Sequence, residues 1–166
     1  MHRFSIINFI IFQSCWALAA SFPASAPFFM IGLLGVHFVL TPTRKADGFL
    51  LIAALAGILV DQFMVWIGIL EVDQPWIPIW LILLWGHFIL CLNHSLLWLS
   101  KLAWYWVAFL GEVFGTLSYW SGLKLGVFNT ELSQPSFILS YAIAWTILLP
   151  ILSYWAKITR ERYILK

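Results

Sequence analysis

Ionic side chains are the scarcest class in this chain. Nine Lys and Arg and seven Asp and Glu are spread over 166 residues, a charged fraction of 10%, where ordinary soluble domains carry about 25%. With 63% of the residues hydrophobic, so few ionic groups cannot cover the apolar surface of a soluble fold. The net charge of +2 excludes an electrostatic nucleic-acid binder, and no basic run interleaves with aromatics as a nucleic-acid groove requires. Cysteine is nearly absent too. Cys15 and Cys91 both fall inside apolar runs without a CxxC partner, which excludes a thiolate zinc site or redox pair and reads as two buried free thiols. Also missing are HExxH, paired Glu-x-x-His units, a histidine-rich box, GxSxG and a glycine-rich phosphate loop. No metal or cofactor is therefore expected from spacing, although two acids and two histidines would suffice for zinc or iron on paper.

What the chain has in abundance is long apolar runs. Six are marked: about Ser5 to Phe22, Pro27 to Thr41, Phe49 to Leu70, Trp76 to Leu99, Leu102 to Leu123 and Ser136 to Ala156. Each approaches the roughly 20 residues that cross a hydrocarbon core of about 30 Å. The breaks have loop chemistry: "FPASAP", "TPTRKADG", "EVDQP" and "NTELSQP", the last ending at Pro135 in a helix-starting position. No break is long enough for a soluble domain. Met1 to Ala26 imitates a signal peptide, but Pro27 after "ASA" and the polar Asn8 and Gln13 in the apolar run argue for retention as a first span. The expectation is one all-α domain over residues 1–166, a polytopic six-helix membrane bundle.

Orientation follows from Lys and Arg. With both termini inside, Arg3, Arg44, Lys45, Lys101, Lys157, Arg160, Arg162 and Lys166 face the cytoplasm, and only Lys124 falls on the other side. Trp66, Trp76, Trp80 and Trp120 then form an outer aromatic belt, and Trp98, Trp104, Trp106 and Trp155 an inner one. This arrangement predicts a multi-pass protein of the bacterial inner membrane, N-in and C-in. Membrane lipids are the expected partners, with a homo-oligomer or a membrane-protein partner also open.

Polar groups inside the spans carry the functional expectation. At about 1.5 Å per residue, Asp61, His87 and Glu112 share one depth band near mid-membrane, while His94 and Gln13 lie on its cytoplasmic side. Burying such groups is costly, about 2.5–3.5 kcal/mol for an aspartate at a helix centre, so they should face the bundle interior. Ala53, Gly57, Asp61 and Gly68 fall on one helix face, and Ala108, Glu112, Gly115 and Thr116 on another, as small-residue seams do. His87, Cys91, His94 and Trp98 make one stripe, with Asn93 pointing elsewhere. The candidate binding site is Asp61, His87 and Glu112, opening through His94 and Gln13. Each histidine and amide taken singly also fits a helix-packing role, and His37 reads as packing or snorkelling. The leading function is binding or translocation of a small ligand or proton. The alternatives are an accessory subunit linked to lipid modification and a small membrane metalloenzyme.

Three segments carry a resemblance: "NFIIFQSCW" (Asn8, Gln13, Trp16), "PWIPIWLILLW" (Trp76, Pro78, Trp80, Trp85) and "LNHSLLWL" (Asn93, His94, Ser95, Trp98). On these the whole chain resembles a domain-of-unknown-function family of small proteobacterial inner-membrane proteins. That resemblance implies location, topology and a loose association with membrane-lipid modification, with no activity. "DGFLLIAALAGILVD" is in addition similar to small six-span proteins of the rod-shape accessory and vitamin-uptake type.

Overall fold

The computed structural model describes residues 2–164. Lys166, counted above among the cytoplasmic cations, lies outside them, as do Met1 and the side chain of His2. Six helices run through the described residues. They are α1 (His2–Ser21), α2 (Ala26–Leu40), α3 (Arg44–Trp66, with a tight 3₁₀ stretch at Leu51–Ala53), α4 (Ile79–Asn93), α5 (104–124) and α6 (Gln134–Tyr163). Arg3–Ser21, Arg44–Trp66 and Gln134–Tyr163 are long and apolar enough to cross a membrane, and Ala26–Leu40 and Ile79–Asn93 are shorter apolar helices.

Local chemistry sets the ends. Pro27 and Pro135 occupy first-turn positions, where a missing N–H costs nothing. Ser133 caps α6 by accepting from the Ser136 N–H. Gly68 (φ 74°) and Gly126 (φ 71°) turn the chain just past α3 and α5 in a backbone conformation that other residues avoid. The two loops that follow meet in an antiparallel bridge between Glu71 and Asn129. Gln62 clamps the first loop, donating to the Pro75 carbonyl and accepting from the Ile77 N–H, both at 3.0 Å. At the opposite end, Arg44 donates to the Phe38 and Val39 carbonyls at 2.8 Å and closes the last turn of α2.

Glycine decides how closely the central helices approach. A Cβ at Gly57 would overlap the Trp85 ring, and one at Gly115 the Trp145 ring. Those indoles stack on each other, centroids 5.3 Å apart and planes at 16°. α5 widens into a π-turn over Gly111–Gly115. There Gly111 lets the Trp145 carbonyl and the Leu149 side chain come close. Pro150 sits inside α6, a position that removes one helical hydrogen bond.

Exposure is inverted relative to a soluble protein. Phe28, Leu59, Phe114, Leu139 and Tyr154 are largely exposed, whereas Asn8, His37, Asp47, Asp61, His87 and Asn93 are buried. Exposed apolar side chains of this number are consistent with helices that meet a membrane. Trp66, Trp76, Trp98, Trp104 and Trp106 are exposed, whereas Trp80, assigned above to the outer belt, is buried in the core.

Two boundaries differ from expectation in ways that matter. α3 begins at Arg44 rather than Phe49, so Asp47 lies in a helix and not in a loop. α4 stops at Asn93, and the chain turns through 94–96 into a 3₁₀ helix over Leu97–Lys101. His94 therefore leaves the helix, and the stripe from His87 to Trp98 does not exist.

Candidate functional site: a buried carboxylate between two histidines

Asp47 sits one turn into α3 with its side chain wholly buried. An uncompensated carboxylate there would cost several kcal/mol, and the surroundings supply donors from three directions. His37, in the last turn of α2, places Nε2 3.3 Å from Oδ2. His94, just past α4, places Nε2 3.0 Å from both carboxylate oxygens. Asn93, the last residue of α4, donates Nδ2–H to Oδ1 at 2.6 Å. The connection between α2 and α3 adds the hydroxyls of Thr41 and Thr43, both within hydrogen-bonding reach of Oδ2.

The termination of α4 makes this convergence possible. The amide of Asn93 is committed to Asp47, and the Ser95 N–H and hydroxyl both donate to Asn8 Oδ1 of α1, at 3.3 and 2.7 Å. The Leu96 N–H reaches back to the Cys91 carbonyl at 2.7 Å. These bonds satisfy the frayed end without a glycine and swing His94 toward α2 and α3. Asn93 thus shares a target with His94, against the expectation that it points elsewhere. A Phe4 ring edge covers both imidazoles, with centroids 5.2 Å from His37 and 4.6 Å from His94. Arg160 of α6 donates to Asn93 Oδ1 at 3.3 Å and so orients the amide that holds Asp47.

Among the described residues, His37, Asp47 and His94 are the one group of His, Cys, Asp and Glu whose ligand atoms gather closely enough to hold a metal ion, all within 4.8 Å of one another. The sequence assigns His37 to packing or snorkelling and does not single out Asp47. The signal for Asp47 was a Thr-Pro-Thr helix start followed four residues later by an acid.

The expected trio of Asp61, His87 and Glu112 does not assemble. Asp61 is buried, but Oδ2 accepts from the Trp85 indole N–H at 2.6 Å and from the Tyr119 hydroxyl. Tyr119 in turn stacks on Tyr141, centroids 4.0 Å apart. His87 is buried and donates Nε2–H to the Met30 carbonyl at 3.0 Å, which ties α4 to α2. Glu112 lies in the π-turn with its side chain on the exposed side of α5. The three side chains simply point in different directions around their helices. Gln13 is exposed and lines a separate groove with Trp16, whose indole N–H donates to Ser118 at 3.0 Å. That groove, about 470 Å³, is walled by aromatics including Phe9, Phe88, Trp98 and Trp145.

No curated protein and no solved structure matches the chain. The family described as "Protein of unknown function (DUF2878)" matches residues 5–151. That span covers most of the sequence and all the residues that touch Asp47, so the chain belongs to this family of unknown function, as the three segments quoted above suggested.

Proposed function

We propose that this is a six-span protein of the bacterial inner membrane, with both termini in the cytoplasm, that binds a proton or small ligand at the His37–Asp47–His94 centre. The observation that carries the proposal is the wholly buried Asp47 carboxylate with two imidazoles directed at it. Ionisable groups at such positions mark ligand or proton sites by default. The positive-inside bias of the sequence supports a position for the centre at the cytoplasmic end, where the slight exposure of His94 would provide entry. Asp61, with one carboxylate oxygen lacking a partner, is the second station along the same bundle if the ligand is moved rather than only held. His87 and Gln13 then act as helix staple and groove lining. Glu112, on the outward face, would be the group a second copy or partner helix recognises.

Nitrogen-15 NMR of the histidines in the detergent-purified protein tests the binding role. The expected result is that Asp47→Asn changes the Nε2 signals of both His37 and His94 while those of His87 are unmoved. His37 and His94 signals that Asp47→Asn leaves unchanged would refute it. Proton flux into dye-loaded liposomes, present in the wild type and removed by Asp47→Asn or Asp61→Asn, tests movement separately.

A second reading, a role in membrane-lipid modification, is favoured by one observation. The aromatic groove runs beside α4 from Trp80 to Cys91 and continues past its end to Ser95, the neighbour of His94 in the chain. The helical part alone is about 16 Å long at the helical rise, room for most of an acyl chain. Co-purification of a lipid that Ser118→Trp displaces would support it.

A further inference from the structure

The donors around Asp47 outnumber what it can accept. Each carboxylate oxygen offers about two lone-pair sites. Oδ2 faces His37 Nε2 at 3.3 Å, His94 Nε2 at 3.0 Å, Thr43 Oγ1 at 3.2 Å and the Thr41 hydroxyl, four polar atoms for two sites. Oδ1 faces Asn93 Nδ2 and His94 Nε2. Hydrogen bonding to the carboxylate alone leaves some of these contacts redundant. The packing is better matched by a cation among them, toward which nitrogen and oxygen lone pairs can all point.

Two of the three ligand separations agree with that reading, and all three lie within 4.8 Å. A tetrahedral ion with bonds of about 2.0–2.1 Å to nitrogen and oxygen separates its ligand atoms by about 3.3 Å. The two imidazole-to-carboxylate separations are 3.3 and 3.0 Å. Both histidines approach through the same atom, Nε2. The second ring of support that ligands need is also built in. Asn93 and the two threonines fix the carboxylate, Arg160 fixes Asn93, and Phe4 screens the imidazoles from solvent.

We propose that His37 Nε2, His94 Nε2 and the carboxylate of Asp47 bind one divalent first-row transition-metal ion. Two imidazoles and one carboxylate, with no thiolate, select zinc or ferrous iron over copper(I) and over the all-oxygen ions magnesium and calcium. Three protein ligands leave at least one coordination position open, as catalytic rather than structural metal sites do. Thr43, half-buried, and the slightly exposed edge of His94 are the parts of the centre that solvent reaches. The inference rests on the reading of this centre as a ligand site and names its ligand.

The test uses the full-length protein in detergent, purified without a polyhistidine tag and titrated with Co²⁺ alone. One Co²⁺ per chain is expected, with ligand-field absorption that Zn²⁺ abolishes. Asp47→Asn and His94→Gln should each weaken binding at least tenfold, on the order of the 10- to 100-fold loss that even outer partners cause. Asn93→Ala should fall in that 10- to 100-fold range, and His87→Gln should bind as the wild type does. Far-UV circular dichroism and size exclusion accompany each variant. If Asp47→Asn fails to fold, His94→Gln, altered outside any helix, carries the comparison. Absence of stoichiometric Co²⁺ binding in the wild type, or unchanged binding in His94→Gln, overturns the metal inference. If proton flux nevertheless depends on Asp47, the proton site stands without the metal; if it does not, both fall.

Discussion

His94 Nε2 stands at the same distance, 3.0 Å, from both oxygens of Asp47, a residue 47 positions earlier in the chain. The imidazole bisects the carboxylate instead of serving one oxygen, so Asp47 is the hub and His94 one spoke. Removing the hub strands several buried donors at once. Asp47→Ala is expected to destabilise the protein by about 3–5 kcal/mol, the cost of breaking a buried ionic cluster from one side. His94→Ala, on the partly open side, should cost less. Denaturant unfolding in micelles measures both, with exposed Lys45→Ala as a reference expected within about 0.5 kcal/mol of wild type. Equal behaviour of Asp47→Ala and Lys45→Ala would contradict the hub role.

Asp61 offers a separate test of buried hydrogen bonding. Trp85→Phe and Tyr119→Phe each delete one donor to the same oxygen while keeping a ring in place. Each should cost about 1–3 kcal/mol. Because the two donors share one acceptor, the double variant should depart from additivity by about 0.5–3 kcal/mol. Additive losses would mean that the two bonds are independent.

The glycines divide by what faces them. Gly57→Ala and Gly115→Ala push a methyl into the Trp85 and Trp145 rings, and each should destabilise by about 1–3 kcal/mol. Gly32 and Gly35 of α2 have nothing within 4 Å of an added Cβ. Alanine there should be neutral or stabilising by up to about 1 kcal/mol. Thermal unfolding of the four variants should separate them into two pairs.

Topology is open to thiol labelling without first removing native cysteines, because Cys15 and Cys91 are buried. Lys45→Cys should react with an impermeant maleimide only after the cytoplasmic face is exposed. Asp73→Cys should react in intact cells. The reverse pattern would invert the proposed orientation.

The number of helices and most of their breaks were legible because apolar runs and prolines report directly on where a chain can and cannot stay helical. The close packing at Gly57 was legible as well, since a small residue one turn from a buried acid marks a helix seam; at Gly115 the small-residue spacing carried the signal, while Glu112 turns outward. The centre itself was not. Asp47 follows two cations in "TPTRKADG", and charge density made that stretch look like a connection, although the helix already begins at Arg44. The second obstacle was "LNHSL". Nothing in it breaks a helix by composition; what stops α4 is Asn8, supplied by α1 from 87 residues away. Depth along a helix is a one-dimensional coordinate. It placed Asp61, His87 and Glu112 level with one another but carried no information on which way each side chain turns.

The groups around Asp47 come from distant parts of the chain: Phe4 on α1, His37 on α2, Asn93 and His94 at the end of α4, and Arg160 near the end of α6. Translation delivers Arg160 last. Until α6 has been synthesised and docked, the Asn93 carbonyl oxygen lacks its partner and the amide that steadies Asp47 is free to turn over. The centre therefore doubles as a record of assembly. Its surroundings are complete only in a chain whose first and last helices are both in place, since Phe4 and Arg160 come from the two ends.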